Sequence, residues 1–277
     1  MSASWQTSVY FCLNMDCMEL TPAFEKARKT HPARGLTQTT GSAAIRNPIA
    51  MLVRHFALFS DISLAACSEI VSVGREKAFA RRQTIFSQGD PIEKVYLLTS
   101  GSFKTTQLGQ NGSEVILRLC GGGDLIGSCK PTGTRPVHRC VAQALQPSRA
   151  LIWDAATFES LCVRYPALRQ NLARILDEQL GELEERYREI STECVPLRLS
   201  REISRLANRV GERVKDSVKI NLSREELAQL TGTTLFTVSR LLSQWKEQGI
   251  VSPGREIVTI NDPHALAELF ERQHWAG

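Results

Sequence analysis

A chain of 277 residues, 42% hydrophobic and 23% charged, has an ordinary globular composition and is long enough for two domains with separate cores. No run approaches the roughly 18 apolar residues of a membrane span. The start, MSASWQTSVYFC, has no basic stretch followed by an apolar core, so no signal peptide is read and the cytoplasm is the expected compartment. The net charge of +5 permits nucleic-acid binding without requiring it, so the placement of the charge matters more than its sum.

Residues 1–47 read as a disordered extension, because ARKTHPARGLTQTTGSAAIRNP is rich in Thr, Ser, Ala, Gly and Arg without apolar period. The stretch VYFCLNMDCMELTPAFEKA before it has the pattern of a short helix, and the first good amphipathic segment begins near Met51. From about 75 to 155 short apolar strands are separated by turn residues: Gly89-Asp90, Ser100-Gly101, the triple glycine of LRLCGGGD and Gln146-Pro147. Many short strands at regular spacing predict an antiparallel sandwich or barrel. A helix in AATFESLCVRYP is stopped by Pro166. A long charged helix follows, and its residues Ala173, Leu176, Leu180, Leu183, Tyr187 and Ile190 step by three and four. That seam suits a coiled-coil dimer. A single amphipathic helix lying on its own domain would show the same spacing.

Pro196 opens a further helical segment, PLRLSREISRLANRVGERVKDSVK, with Leu199, Ile203, Leu206 and Val210 on one face. Residues 195–219 carry seven Lys or Arg against three Asp or Glu. Arg198, Arg201, Arg205 and Arg209 lie on the other faces, as a phosphate-facing surface would require, or simply a solvated one. In NLSREELAQLTGTTLFTVSRLLSQWKEQGIV, Ser223 and Glu226 form a capping-box pair at the start of one helix. Gly232 suits the tight turn after it, and Thr234 suits the cap of the next. Leu227, Leu230, Val238, Leu241, Leu242 and Trp245 would pack the two helices together. Leu235, Phe236, Thr237, Ser239 and Arg240 then occupy the early turns of the second helix, where a helix-turn-helix meets base edges in the major groove. The segment GIVSPGREIVTI reads as a hairpin turning at Pro253-Gly254, a wing beside the reading helix. Ser223, Arg201 and Arg205 complete the candidate DNA contacts.

In this order the segments resemble the CRP/FNR family of bacterial transcription regulators. The resemblance rests on FALFSDISLAACSEI, on IFSQGDPIEKVYLLTSGSFK with Gly89-Asp90 and Ser100-Gly101, and on GTTLFTVSRLLSQWKEQGIV, and it spans about residues 49–270. It implies an α+β fold: a cyclic-nucleotide-binding-type β jelly roll over 48–166, a dimerisation helix over 167–194 and a C-terminal winged helix-turn-helix over 195–277. It also implies a homodimer on double-stranded DNA, with RNA polymerase as a further partner.

The chain departs from the family in two places. Members that bind cyclic AMP carry Gly-Glu in the pocket, then Arg-Ser or Arg-Thr about ten residues on, with Glu on the ribose hydroxyl and Arg on the phosphate. Gly127-Ser128 and Arg139-Cys140 stand in those places here, the spacing about one residue longer. Arg139 keeps the chemistry for a phosphate or carboxylate, but cyclic AMP is not the expected effector. Phe236 stands where many members have Glu; it can pack on a thymine methyl but cannot accept from cytosine N4. A cyclic-nucleotide-responsive or redox-responsive regulator of the same family is the alternative, and a jelly-roll sensor without DNA binding a more distant one.

No cofactor is assigned. The iron-sulfur branch places several close cysteines near its N-terminus, where this chain has only Cys12 and Cys17. Its eight cysteines form no paired C-x-x-C of a zinc site. Nothing marks His55 or His138 as a haem ligand. A metal-dependent jelly-roll enzyme needs clustered histidines, and the strand region has one, so an enzyme is not expected.

Overall fold

A computed structural model of the chain describes residues 47–110, 112–126 and 137–272. The extension expected over 1–47 therefore lies almost wholly outside the described residues.

Helix α1, Pro48–Val53, starts at Asn47, whose side-chain oxygen accepts from the amide of Ile49 at 3.0 Å. A 3₁₀ turn, Ala57–Phe59, leads to α2, Leu64–Ser72, capped by Ser63. Eight strands follow: β1 Arg75–Phe79, β2 Thr84–Phe86, β3 Lys94–Ser100, β4 Phe103–Leu108, β5 Glu114–Cys120, β6 Leu125–Ile126, β7 Val141–Ala144 and β8 Ser148–Asp154. β1 pairs with β8, β2 with β7, β3 with β6 and β4 with β5, all antiparallel. That is one long hairpin rolled up, and it gives the sheets β1-β8-β3-β6 and β2-β7-β4-β5 of a jelly roll. The roll depends on a tight corner at Gly101, whose φ is +87°. A Cβ there would lie 2.1 Å from the Ser148 hydroxyl, so only glycine fits.

Between the sheets pack Phe79, Phe86, Tyr96, Leu98, Phe103 and Ile126, with Phe79 and Phe103 edge to face at 5.5 Å. Buried His138 lies flat on Phe86 at a ring separation of 3.5 Å. Burial holds its imidazole below the ordinary value, partly opposed by Asp90. Because the unfolded chain takes up that proton more readily, the neutral ring stabilises the fold fully above pH ~6.5, and the contribution is lost as pH falls below it. Thermal unfolding followed from pH 8 to 5 should show the loss. His138→Phe, which keeps the stack and cannot titrate, should reduce that dependence; an unaltered slope would show that other groups set it.

The outer face of the first sheet packs on helices. Trp153 is buried and donates to the Ile70 carbonyl at 2.9 Å. Helix α3, Ala155–Arg164, and helix α4, Pro166–Thr192, close this layer. Leu168 and Ile175 are in the core, and Asn171 donates to the carbonyls of Leu58 and Ser60. The rest of α4 runs on past this anchorage, with Leu176, Leu180, Leu183, Tyr187 and Ile190 exposed.

Helix α5, Val195–Val210, begins with Pro196 in its first turn. The sequence reads residues 196–219 as one helical segment, but the helix stops at Val210. Residues 212–220 instead form the hairpin β9, Glu212–Val214, and β10, Ser217–Ile220, turning at Lys215 with φ +54°. Then come α6, Arg224–Thr231, α7, Leu235–Glu247, β11, Val251–Pro253, β12, Val258–Ile260, and α8, Pro263–Arg272, which the sequence reading did not include. The predicted wing hairpin joins the earlier one in the sheet β11-β12-β10-β9. Leu199, Ile203, Leu206, Leu227, Leu230, Val238, Leu241, Leu242 and Trp245 share a core that also takes in Ile116, Leu119 and Leu145 of the jelly roll. Sensor strands and reading helices are thus packed together rather than merely linked.

Candidate nucleic-acid interface

Helix α6 starts with a full capping box. The Ser223 hydroxyl accepts from the Glu226 amide at 3.1 Å, and the Glu226 carboxylate accepts from the Ser223 amide at 2.9 Å. The helix ends at Gly232 in the left-handed region, φ +60°, which sets the turn into α7. Thr234 caps α7, its hydroxyl accepting from the Thr237 amide at 3.2 Å and lying 2.9 Å from the Thr237 hydroxyl. One face of α7, Val238, Leu241, Leu242 and Trp245, is buried. The opposite face carries Leu235, 50% exposed, and Phe236, 78% exposed. Arg240 is exposed and pairs with no carboxylate among the described residues; Thr237 and Ser239 are half-buried beside it. Thr234, Leu235, Phe236 and Arg240 are thus brought to one accessible end of the helix. Leu235 and Phe236 together leave adjacent apolar surface exposed at that end.

The arginines of α5 do not form the open phosphate-facing surface that their number suggests. Arg205 makes a bidentate pair with Glu189 at 2.6 and 2.7 Å and also reaches Glu202. Arg201 pairs with Glu193 at 3.0 Å, and Arg209 with Glu182 at 2.5 Å. Arg198 is buried and donates to the backbone carbonyls of Thr231, Ile190 and Glu193. Folding α5 back on α4 delivers the α4 carboxylates to these guanidinium groups, and Glu189 is only 3% exposed. The excess of charge on α5 is spent inside the molecule. Arg201 and Arg205, expected at phosphates, are held by these carboxylates in the observed structure.

At the effector position, Gly127 and Ser128 lie outside the described residues. Arg139 is exposed, and its carbonyl accepts from the Gln107 side chain at 2.7 Å. Cys140 is half-buried against the inter-sheet core, and burial pushes its thiol up. Burial also raises Cys120, to about 12, and Cys162, to about 11. Cys12, Cys17 and Cys129 are not among the described residues.

Sequence reasoning missed the contacts that join jelly roll and reader. Buried Lys104 of β4 pairs with Glu226 at 3.3 Å. Arg81 and Arg82, in the β1–β2 turn, share Glu256 at the wing tip at 2.6 and 2.9 Å; these pairs are exposed and contribute little each. Arg186 donates to the carbonyls of Leu117 and Leu230. No local motif marks these residues, since each partner is far away in sequence.

Two family descriptions match the chain in the order of these parts: a cyclic nucleotide-binding domain over residues 76–165 and a Crp-like helix-turn-helix domain over 197–269. The chain belongs to the CRP/FNR family of transcription regulators. It is 29% identical over 199 residues, 71% of this chain and 72% of the relative, to an anaerobic regulatory protein of Pasteurella multocida (strain Pm70). It is 24% identical over 218 residues, 78% of this chain and 97% of the relative, to a CRP-like cAMP-activated global transcriptional regulator of Mycobacterium tuberculosis (strain CDC 1551 / Oshkosh). The structure of FixK2 from Bradyrhizobium japonicum matches with a TM-score of 0.63 at 23% identity, over 71% of this chain and 97% of that one, a likeness of fold. The expected architecture of jelly roll, long helix and winged helix-turn-helix is the one observed. The chain is a transcription regulator of this type with a DNA-binding helix-turn-helix. Among the described residues, no helix is long and apolar enough to cross a membrane.

Proposed function

We propose that this regulator acts as a homodimer which reads an inverted-repeat operator with the first turns of α7 and does not respond to cyclic AMP. The observation that carries the reading is the exposed end of α7: capped by Thr234, backed by a buried face, and presenting Phe236 and Arg240 outward. A dimer about the exposed seam of α4 would set two such helices side by side, in a cytoplasm that also holds RNA polymerase as the family's further partner.

Resistance to cyclic AMP is supported by residue chemistry. Ser128 replaces the carboxylate that would accept from the ribose hydroxyls, and Cys140 replaces the second hydroxyl. A hydrogen bond to a charged group contributes about 1.5–3 kcal/mol, so its loss weakens the nucleotide at least roughly tenfold. Arg139 stays available for another phosphate or carboxylate. A thiol switch is disfavoured at Cys120 and Cys162, because burial keeps both protonated and unreactive.

Calorimetry at micromolar cyclic AMP, together with titration of a fluorescent duplex obtained by unbiased selection, tests the reading. Duplex binding with no nucleotide heat is expected. Tight nucleotide binding that alters duplex affinity would overturn the effector assignment, and failure to retain any duplex would overturn the DNA-binding one. Adding metabolite extract to the selection would show whether another small anion is needed.

A further inference from the structure

We propose that Arg186 is a positioning residue that fixes the DNA-reading unit against the jelly roll. The inference rests on the reading of α6 and α7 as the DNA-binding unit. Arg186 lies on α4, between the seam residues Leu183 and Tyr187. One arm of its guanidinium donates to the Leu117 carbonyl of β5 at 2.6 Å, and the other to the Leu230 carbonyl in the last turn of α6 at 2.9 Å. A single planar group therefore ties three elements: the long helix, a sensor strand and the first reading helix. The rigid fork fixes the directions of both bonds, whereas a lysine ammonium is a point charge on a flexible stem. The charge also sits where the α6 dipole is negative.

The other contacts of α6 act in the same sense. Arg198 of α5 donates to Thr231, the next carbonyl at the same end. At the opposite end, Lys104 of the jelly roll reaches Glu226, the carboxylate of the capping box. Cations from outside the reading unit thus hold α6 at both ends. Between them, Ile116 and Leu119 of β5 are part of the reader core. Because α6 and α7 share a rigid core, whatever orients α6 orients α7. In the observed arrangement Phe236 and Leu235 face solvent and are not covered by the jelly roll. This orientation leaves the reading face available, so releasing it lowers DNA affinity.

The test uses the full chain as wild type, Arg186→Gln and Arg186→Lys. Three quantities are measured: affinity for the selected duplex at several salt concentrations, affinity for its single-base variants, and amide hydrogen exchange. Arg186→Gln should weaken every duplex by a similar factor, roughly tenfold, the scale of one or two lost hydrogen bonds. The salt slope and the base preference should not change. Residues 224–231 and 114–120 should exchange faster while β1 and β8 do not, and light scattering should give the wild-type mass. Arg186→Lys should fall between the other two, and it carries the test if the Gln variant does not fold. A change under twofold with unaltered exchange in α6 would overturn the proposal, as would a rise in affinity. A salt slope reduced by about one unit would make Arg186 a phosphate contact instead. If wild type retains no duplex, the DNA-binding reading has failed, and exchange in α6 alone still decides whether Arg186 fixes that helix.

Discussion

Changing Leu180 and Leu183 together to lysine is expected to give a folded monomer. In the single chain these side chains are about half exposed, at 54% and 56%, so the substitutions remove little from the monomer's own core. The dimer should feel them fully. Leu176, Leu180, Leu183, Tyr187 and Ile190 form an apolar stripe on the part of α4 that extends beyond its anchorage at Leu168, Asn171 and Ile175. Paired about that stripe, four half-exposed leucines would lose about half of the roughly 1.5–3 kcal/mol that full burial contributes to each, hence about 3 kcal/mol at the least. Four ammonium groups would also have to sit across one seam. Light scattering at micromolar protein should report one chain's mass, with helix content kept in circular dichroism. A variant that still has twice the mass would place the interface elsewhere and leave the α4 stripe as a site for some other partner.

The fold was legible where the signal is local. Gly and Pro mark the ends of the strands, and the tightest corner, at Gly101, tolerates nothing larger. Ser223 with Glu226, Gly232 and Thr234 are short-range capping chemistry, and the structure uses each of them as such. Signals that depend on distant partners were not legible. The arginines of α5 read as a basic surface because Glu182 and Glu189 sit on another helix and Glu193 at its end, and only the reversal near Cys194 brings them within reach. Nothing at Arg186 or Lys104 marks them as ties, since their partners Leu230 and Glu226 are 44 and 122 residues away. The hairpin at Lys215 was hidden by the helical spacing before it. Gly127 and Ser128 stay at the level of sequence, because both are outside the described residues.

Arg240→Ala should cost about 1–3 kcal/mol of DNA affinity, and the loss should fall on one position of each half-site. The side chain is exposed, has no carboxylate partner among the described residues, and projects from the same end of α7 as Phe236. That geometry suits a bidentate bond to guanine O6 and N7. Two such helices in a dimer would lie about one turn of DNA apart, ~34 Å, which makes the operator an inverted repeat. Phe236→Glu exchanges a methyl-binding ring for an acceptor of the cytosine N4 proton, so preference at the facing base should move toward cytosine. Arg205→Ala is the control. Glu189 and Glu202 hold its guanidinium, so its loss should lower thermal stability and leave the salt slope as in wild type. A phosphate contact would instead reduce that slope by about one unit. The measurement is a binding series over single-base operator variants at two salt concentrations. If Arg240→Ala weakens all variants alike and reduces the salt slope, Arg240 grips the backbone, and the discrimination must be sought in Phe236 and Ser239.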